Sequence, residues 1–370
     1  AGSPLMNWAS GGAKEYNAEL CKRGADALGQ ALALTESTNR YELADFSEYN
    51  DIFLLHNSSG KLNGVKESIF MENIKDYSGR WRWNMVNDFR PQSIEYSGIK
   101  CYPTANYVNY YGMQNGYPIN DMTKADAESG YDPTHPWKNR DPRFYKTIMF
   151  DGVKWKSTGG AGGTAELFTG GRESEEANEK KGCFTAYMNS KLCPQLMNTV
   201  DGYKENNIMI LSLMRLADVY LMYAEATAVG YNGPKGKAAT YSLTAEEALN
   251  KIRERAGVAP VLDKFLGSTA DFLSELRRER AVELSFEGFR FIDLRRWMLL
   301  TQYPYTLKTK IEFDRADPSD YNYDEPEENA IKNLREVVLL ERKYTDRHYW
   351  YPLPKKDVSM YEGFYQNPGW

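Results

Sequence analysis

The chain has 370 residues, 42% of them hydrophobic and 14% aromatic, and its 51 acidic and 46 basic residues leave a formal charge of −5. That composition can bury a substantial core, and it excludes a disordered chain. The near-balanced charge gives no basis for binding nucleic acid or an anionic lipid surface, and no apolar run approaches the ~20 residues of a membrane-spanning helix.

The opening stretch AGSPLMNWASGG shows no basic end, apolar segment or cysteine for lipidation, and it lacks an initiating Met. The expectation is a mature or truncated product with no visible export signal. From Ala13 to Leu34, Tyr16, Leu20, Gly24, Leu28, Ala31 and Leu34 recur at helical spacing and predict a long amphipathic helix. Between Glu42 and Asn207 glycine, proline, asparagine and aromatics dominate, and STGGAGGTAELFTGGRE cannot sustain regular structure. Long loops with a few short strands are expected there, the kind of surface on which a rigid scaffold carries variable contacts.

A clearer helix begins near Ile210. Leu213, Leu216, Ala217, Tyr220, Tyr223 and Ala224 form one stripe, with alanines small enough for another helix to approach closely. After the linker GYNGPKGKAATYS, Thr244 and Glu247 have capping-box spacing and Gly257 stands where a helix stops. The two helices form a hairpin of tetratricopeptide type, in one convincing copy. A further helix runs from about Ala270 through RRERAVELSFEGFRFIDLRRW, residues 277–297.

That last segment poses the main chemical question. Glu279, Glu283 and Glu287 are spaced i, i+4, i+8 on one helical face and would repel one another if unpaired. Arg280–Glu283, Glu287–Arg290 and Arg290–Asp293 supply i, i+3 pairs within the segment. A glycosidase needs two carboxylates flanking a substrate, roughly 5–9.5 Å apart, and neighbours on one helix between Phe286 and Phe289 are poorly placed for that. A di-metal site needs Glu-x-x-His, whereas the histidines are His56, His135 and His348. The carboxylates are therefore read as a structural ion-pair network. Neither a GxSxG elbow nor a phosphate-binding GxxxxGK[ST] occurs, so catalysis has no carrier, and no cofactor or metal is expected. The acidic run EFDRADPSDYNYDEPEEN, 312–329, makes calcium conceivable, but it lacks EF-hand spacing and reads more simply as a solvated loop. Of the four cysteines, Cys21, Cys101, Cys183 and Cys193, the last two could close a short loop or remain small buried residues.

Aromatics are the unusual resource. In SGRWRWNMVNDFRP, 78–91, Trp81 and Trp83 stand at i, i+2 beside Arg82 and Asn84. In an extended strand both rings face one side. An indole face suits the apolar face of a sugar, while guanidinium and amide groups hydrogen-bond hydroxyls at its edge. Tyr110, Tyr111 and Trp155 are further candidates for ligand binding. The alternative is that all these rings pack into satellite cores beneath the loops.

The 277–297 segment resembles the signature of SusD/RagB proteins, approximately ERR-x-EL-x-FEG-x-R-x-x-DL-x-RW, through Glu279, Arg280, Glu283, Leu284, Phe286, Glu287, Gly288, Arg290, Asp293, Leu294, Arg296 and Trp297. NRDPRF (139–144), MRLADVYLMYAEA (214–226), ALNKIRERAG (248–257), the stretch YPTANYVNYYGMQNGYPI and the ending YPLPKKDV…QNPGW agree in order. The resemblance implies a mainly α fold in which tetratricopeptide-like hairpins support a loop-rich irregular face with a few short strands. It also implies a non-catalytic, cell-surface outer-membrane lipoprotein that binds oligosaccharide or polysaccharide, in some members peptide, and delivers it to a SusC-type TonB-dependent transporter.

On that reading the chain is most of one domain lacking its N-terminal part, and membrane association comes only through an N-terminal lipid outside this chain. A helical segment covers 1–48, a loop-rich ligand-binding region 49–207, the tetratricopeptide-like helices and signature 208–300, and C-terminal loops 301–370. The ligand residues of that family vary, so none carries over by motif. The rival reading is a peptide- or protein-binding module of tetratricopeptide type.

Overall fold

The computed structural model describes residues 2–55, 64–73, 101–157, 163–177, 182–192, 201 and 208–370. Helix α1 (Pro4–Ala9) precedes α2 (Ala18–Thr38). The latter starts five residues later than the periodicity predicts, because the Asn7 amide donates to Ala13 O and Glu15 O, both at 3.1 Å, and holds that stretch as a turn. Asn17 then caps α2 by accepting from Leu20 N. Short elements follow: β1 (Leu54–Leu55), β2 (Ser68–Asn73), α3 (Ala105–Val108), α4 (Pro142–Thr147), β3 (Ile148–Met149) and β4 (Met188–Asn189).

Strand β5 (Ile208–Arg215) runs directly into α5 (Leu216–Gly230). The helix read as starting near Ile210 therefore begins at Leu216. An apolar run such as ILSLM fits either period, and here β1 and β2 flank it as antiparallel partners. Helix α6 (Ala245–Ala256) has the predicted capping box, with Glu247 N donating to Thr244 Oγ1 at 3.2 Å and Thr244 N to Glu247 Oε2 at 2.7 Å. It ends at Gly257, φ 73°.

Helix α7 (Thr269–Glu283) does not continue through the signature. The chain breaks at 284–288, where Phe286 takes φ 61° and Gly288 φ 87°, and α8 (Phe289–Arg296) begins anew. Glu287 lies within the break and shares Arg215 with Glu283. Residues 301–370, expected as loops, contain the antiparallel pair β6 (Leu307–Arg315) and β7 (Ile331–Glu341), followed by the short α9 (Lys355–Val358).

The structure is mainly α-helical, with two large cores and several smaller clusters among the described residues. In the first, α2, α5, α6 and α7 pack through Ala25, Leu32, Ala217, Ala224, Ala228, Leu249, Ile252, Phe272 and Leu276. Small residues set the spacing: a Cβ on Gly230 would lie 2.5 Å from Lys22 N, so the end of α5 rests on the backbone of α2. The second core lies under the loops. There Trp137 stacks on Phe150 at 5.0 Å, Phe150 on Phe144 at 5.2 Å, and Phe313 of β6 meets Trp137 edge-on at 5.3 Å. Val282 of α7 belongs to this loop core while Leu276 belongs to the helical one, so α7 is the wall between the two.

Candidate functional site

The signature carboxylates meet at that wall. Glu283, fully buried, accepts from Arg143 at 2.9 Å, from Arg215 at 2.7 Å and from Arg255. Glu287 accepts from Lys191 at 2.7 Å and twice from Arg215 at 2.8 Å. Glu279 accepts from Arg143 and, at 2.9 Å, from Arg253. The three i, i+3 pairs expected within the segment are not formed. Arg280 instead bridges Asp218 at 2.7 Å and Asp293 at 3.1 Å, while Arg290 lies over the Tyr110 ring. The cations come from elements distant in sequence, and each arginine has two or three carboxylates to join, which a single helix face cannot offer it.

Burial alone would keep these carboxyls protonated. The guanidiniums outweigh it, and Glu279, Glu283 and Glu287 all titrate below their usual range. Lys191 is pushed down to about 8, by burial first and by Arg215 beside it, against the pull of Glu287. Farther along, burial opposes but Arg296 enforces ionisation of Glu225, down to about 2, with Trp297 Nε1 donating to it at 2.8 Å and Tyr16 Oη at 2.9 Å. Carboxylates ionised at neutral pH, buried and committed to guanidiniums are poorly placed to donate a proton to a substrate.

The NRDPR stretch belongs to the same network. Asp141 caps α4 by accepting from Arg143 N, and the Arg143 guanidinium then joins Asp141 to Glu279 and Glu283. Arg140, also buried, donates to the carbonyls of Tyr111 and Pro136 at 2.8 Å and of Val108 at 3.1 Å. These two arginines fasten the loop region to α7 and to itself.

The predicted ligand residues separate into three groups. Trp81, Arg82, Trp83 and Asn84 lie outside the described residues, as does Cys193; its candidate partner Cys183 is buried, its thiol donating to Tyr187 O at 3.2 Å. Tyr111 and Trp155 are core residues without exposed surface, which corrects their assignment as stacking platforms. The Tyr111 hydroxyl donates to Ser285 Oγ at 2.7 Å and accepts from Thr147 at 2.8 Å, so it is satisfied as both donor and acceptor. Tyr110 is half-buried with the Arg290 guanidinium 4.7 Å from its ring centre.

Open aromatic surface exists elsewhere. Arg295 contacts two tilted rings, Phe291 at 4.6 Å and Tyr351 at 4.1 Å, with Tyr351 63% exposed. Tyr361, Phe364, Tyr365 and Trp370 continue an exposed aromatic series at the C-terminus. In the sequence they form the cluster YEGFYQNPGW, where Tyr361, Phe364 and Tyr365 have i, i+3, i+4 spacing although the last helix ends at Val358. On the loop side Gln114, Asn115, Ser129 and Asn139 line a polar recess suited to hydroxyl groups. In the acidic segment 312–329, Glu312 pairs with Lys310 at 2.7 Å, Arg315 reaches Asp151 at 2.7 Å, and Asn329 donates to Asn322 O at 2.7 Å. Among the described residues no group of three or more His, Cys, Asp or Glu side chains is arranged to hold a metal ion.

A protein-family model, that of the SusD family, matches residues 66–370. The chain belongs to the SusD family. A SusD-like protein of Bacteroides fragilis NCTC 9343 has the same fold, at 23% identity with a TM-score of 0.68, over 94% of this chain and 62% of that one. A SusD-like carbohydrate binding protein of the same strain gives 20% identity and a TM-score of 0.61, over 92% and 60% of the two chains. This SusD-family chain thus spans under two thirds of those structures' lengths. No curated protein sequence matches it.

Proposed function

We propose that this SusD-family chain is the binding part of a non-catalytic glycan-capture protein. In this reading it is held at the outer-membrane surface by a lipid on the longer protein, and it passes oligosaccharide to a SusC-type TonB-dependent transporter. The observation that carries the reading is the family match over residues 66–370. Carbohydrate binding by the B. fragilis neighbour of known fold supports it, and so does the commitment of the buried carboxylates to arginines. Trp81 and Trp83, with Arg82 and Asn84 at their edges, remain the proposed stacking platform, and the Phe291–Arg295–Tyr351 cluster adds aromatic surface in the described part of the chain. Contacts of this shallow, hydrated kind give modest, enthalpy-weighted affinity.

Affinity electrophoresis against a panel of polysaccharides is the test. Retardation is expected with no release of reducing ends, and Trp81→Ala combined with Trp83→Ala is expected to abolish it. Binding to peptides but to no glycan, or product formation that depends on one carboxylate, would overturn the proposal.

A further inference from the structure

Lys308 and Arg342 stand at one end of the β6–β7 ribbon, and Arg290 is close enough to act on Lys308 electrostatically. Lys308 pairs with Leu340 across the ribbon, and Arg342 N donates to Thr306 O at 2.9 Å, so Lys308 and Arg342 are diagonal neighbours on one face. Arg290 reaches the group from α8. Its guanidinium lies 4.7 Å from the Tyr110 ring and 5.5 Å from the Tyr305 ring, and its Nη1 is buried without a hydrogen-bond partner.

The adjacent strand position shows the ordinary arrangement. Lys310 joins Glu175 at 3.1 Å and Glu312 at 2.7 Å, and its pKa is raised despite partial burial. Among the described residues Lys308 has no such partner. Burial, then the like charges of Arg342 and Arg290, lower it to about 8. The neighbouring acids are committed elsewhere: Glu287 to Lys191 and Arg215, Asp293 to Arg280 and Arg296. Glu341 pairs with Leu307 and therefore stands on the opposite face of the ribbon.

Holding three cations together is unfavourable unless an anion joins them, and a chain of net charge −5 has no general attraction for polyanions that would explain the group. Two guanidiniums match the planar or tetrahedral oxygens of carboxylate and sulfate. The Tyr305 ring stands beside them, and Tyr303, on the same loop, is 76% exposed.

We propose that Lys308, Arg290 and Arg342 form a subsite for an anionic substituent of a bound saccharide, a uronate carboxylate or a sulfate ester, with Tyr305 against the sugar ring. The subsite rests on the glycan-binding reading and narrows it to acidic glycans.

The test compares retention by polygalacturonate with retention by its methyl ester, and by dextran sulfate with dextran, for the wild type and for Lys308→Met combined with Arg342→Met. The double variant is expected to fold normally and to lose at least tenfold in affinity for the acidic polymer. Loss confined to polygalacturonate identifies a uronate, and loss confined to dextran sulfate a sulfate. A second measurement follows Lys308 by NMR after ¹³C-methylation of the lysines: its resonance should titrate near pH 8 and move to higher pH when galacturonate or inorganic sulfate is added. Acidic polymer retained equally by wild type and variant overturns the subsite, as does binding of neutral polymers alone. That second outcome leaves the glycan reading intact. Retention by no polysaccharide, with galacturonate still shifting Lys308, keeps the anion site and removes the glycan reading.

Discussion

Replacing Glu283 with glutamine removes one negative charge from a site with no exposed surface, where Arg143, Arg215 and Arg255 all donate to it. At an effective dielectric constant of 20, each contact is worth about 4 kcal/mol of attraction, roughly 12 in all, most of it cancelled by the desolvation of the carboxylate. Breaking a buried pair by removing one partner costs about 3–5 kcal/mol, because the remaining charges are left uncompensated. For 370 residues the unfolding entropy is about 0.8 kcal/mol per kelvin, so the melting temperature should fall by about 4–6 °C at pH 7.

The pH dependence gives a second signature. The folded-state pKa of Glu283 is depressed, so its contribution is fully present above the unfolded value of 4.5 and is lost as pH falls towards the folded one. The gap between wild type and Glu283→Gln should therefore narrow below about pH 5. Scanning calorimetry between pH 3 and 7, with ligand affinity measured per folded molecule, checks both points. A variant that melts with the wild type, or one that folds stably and has lost binding, would refute the structural role given to this carboxylate.

Gly230→Ala should lower stability by about 1–3 kcal/mol, because its Cβ meets the backbone of Lys22 and neither helix can yield without repacking; urea titration followed by circular dichroism reads this directly. Lys191→Met should remove one pH-dependent term. With the folded pKa near 8 against 10.5 unfolded, the unfolded chain binds more protons in that window, so Lys191 makes wild-type stability rise with pH there by up to about 3 kcal/mol. The variant should lack that component when the two are compared in urea at pH 7.5 and 10. Trp297→Phe deletes the indole donor to Glu225 and should cost about 1–3 kcal/mol, visible as a lower denaturation midpoint at unchanged slope.

Local features were legible in the sequence because they depend on local physics. The capping box at Thr244 and Glu247, the stop at Gly257 and the stripe with small alanines on α5 each need only a few neighbouring positions. That the signature carboxylates serve the scaffold was also readable, since repulsion along one helix face demands partners. Which partners they find was not. Arg143, Arg215 and Lys191 approach from 140, 68 and 96 residues away, and no spacing rule reaches that far.

The same limit explains β5: its apolar run pairs with β2, and only the partner decides strand over helix. The aromatic reading was limited differently. Composition gives the number of rings but not which side of a loop they occupy, so Tyr111 and Trp155 looked no different from Tyr351 until burial separated them. Residues 307–341 alternate in burial on β6 yet are mostly exposed on β7, and a strand with charge on both faces leaves little pattern to detect.

Arg140 and Arg143 have a consequence for divergence within the family. Because one short NRDPR clasp ties the loop layer to the helices through carbonyls and fixed acids, the segments between its attachment points can be rewritten without disturbing the frame beneath. Substitutions confined to those loops therefore leave the ion pairs and carbonyl contacts of the clasp intact.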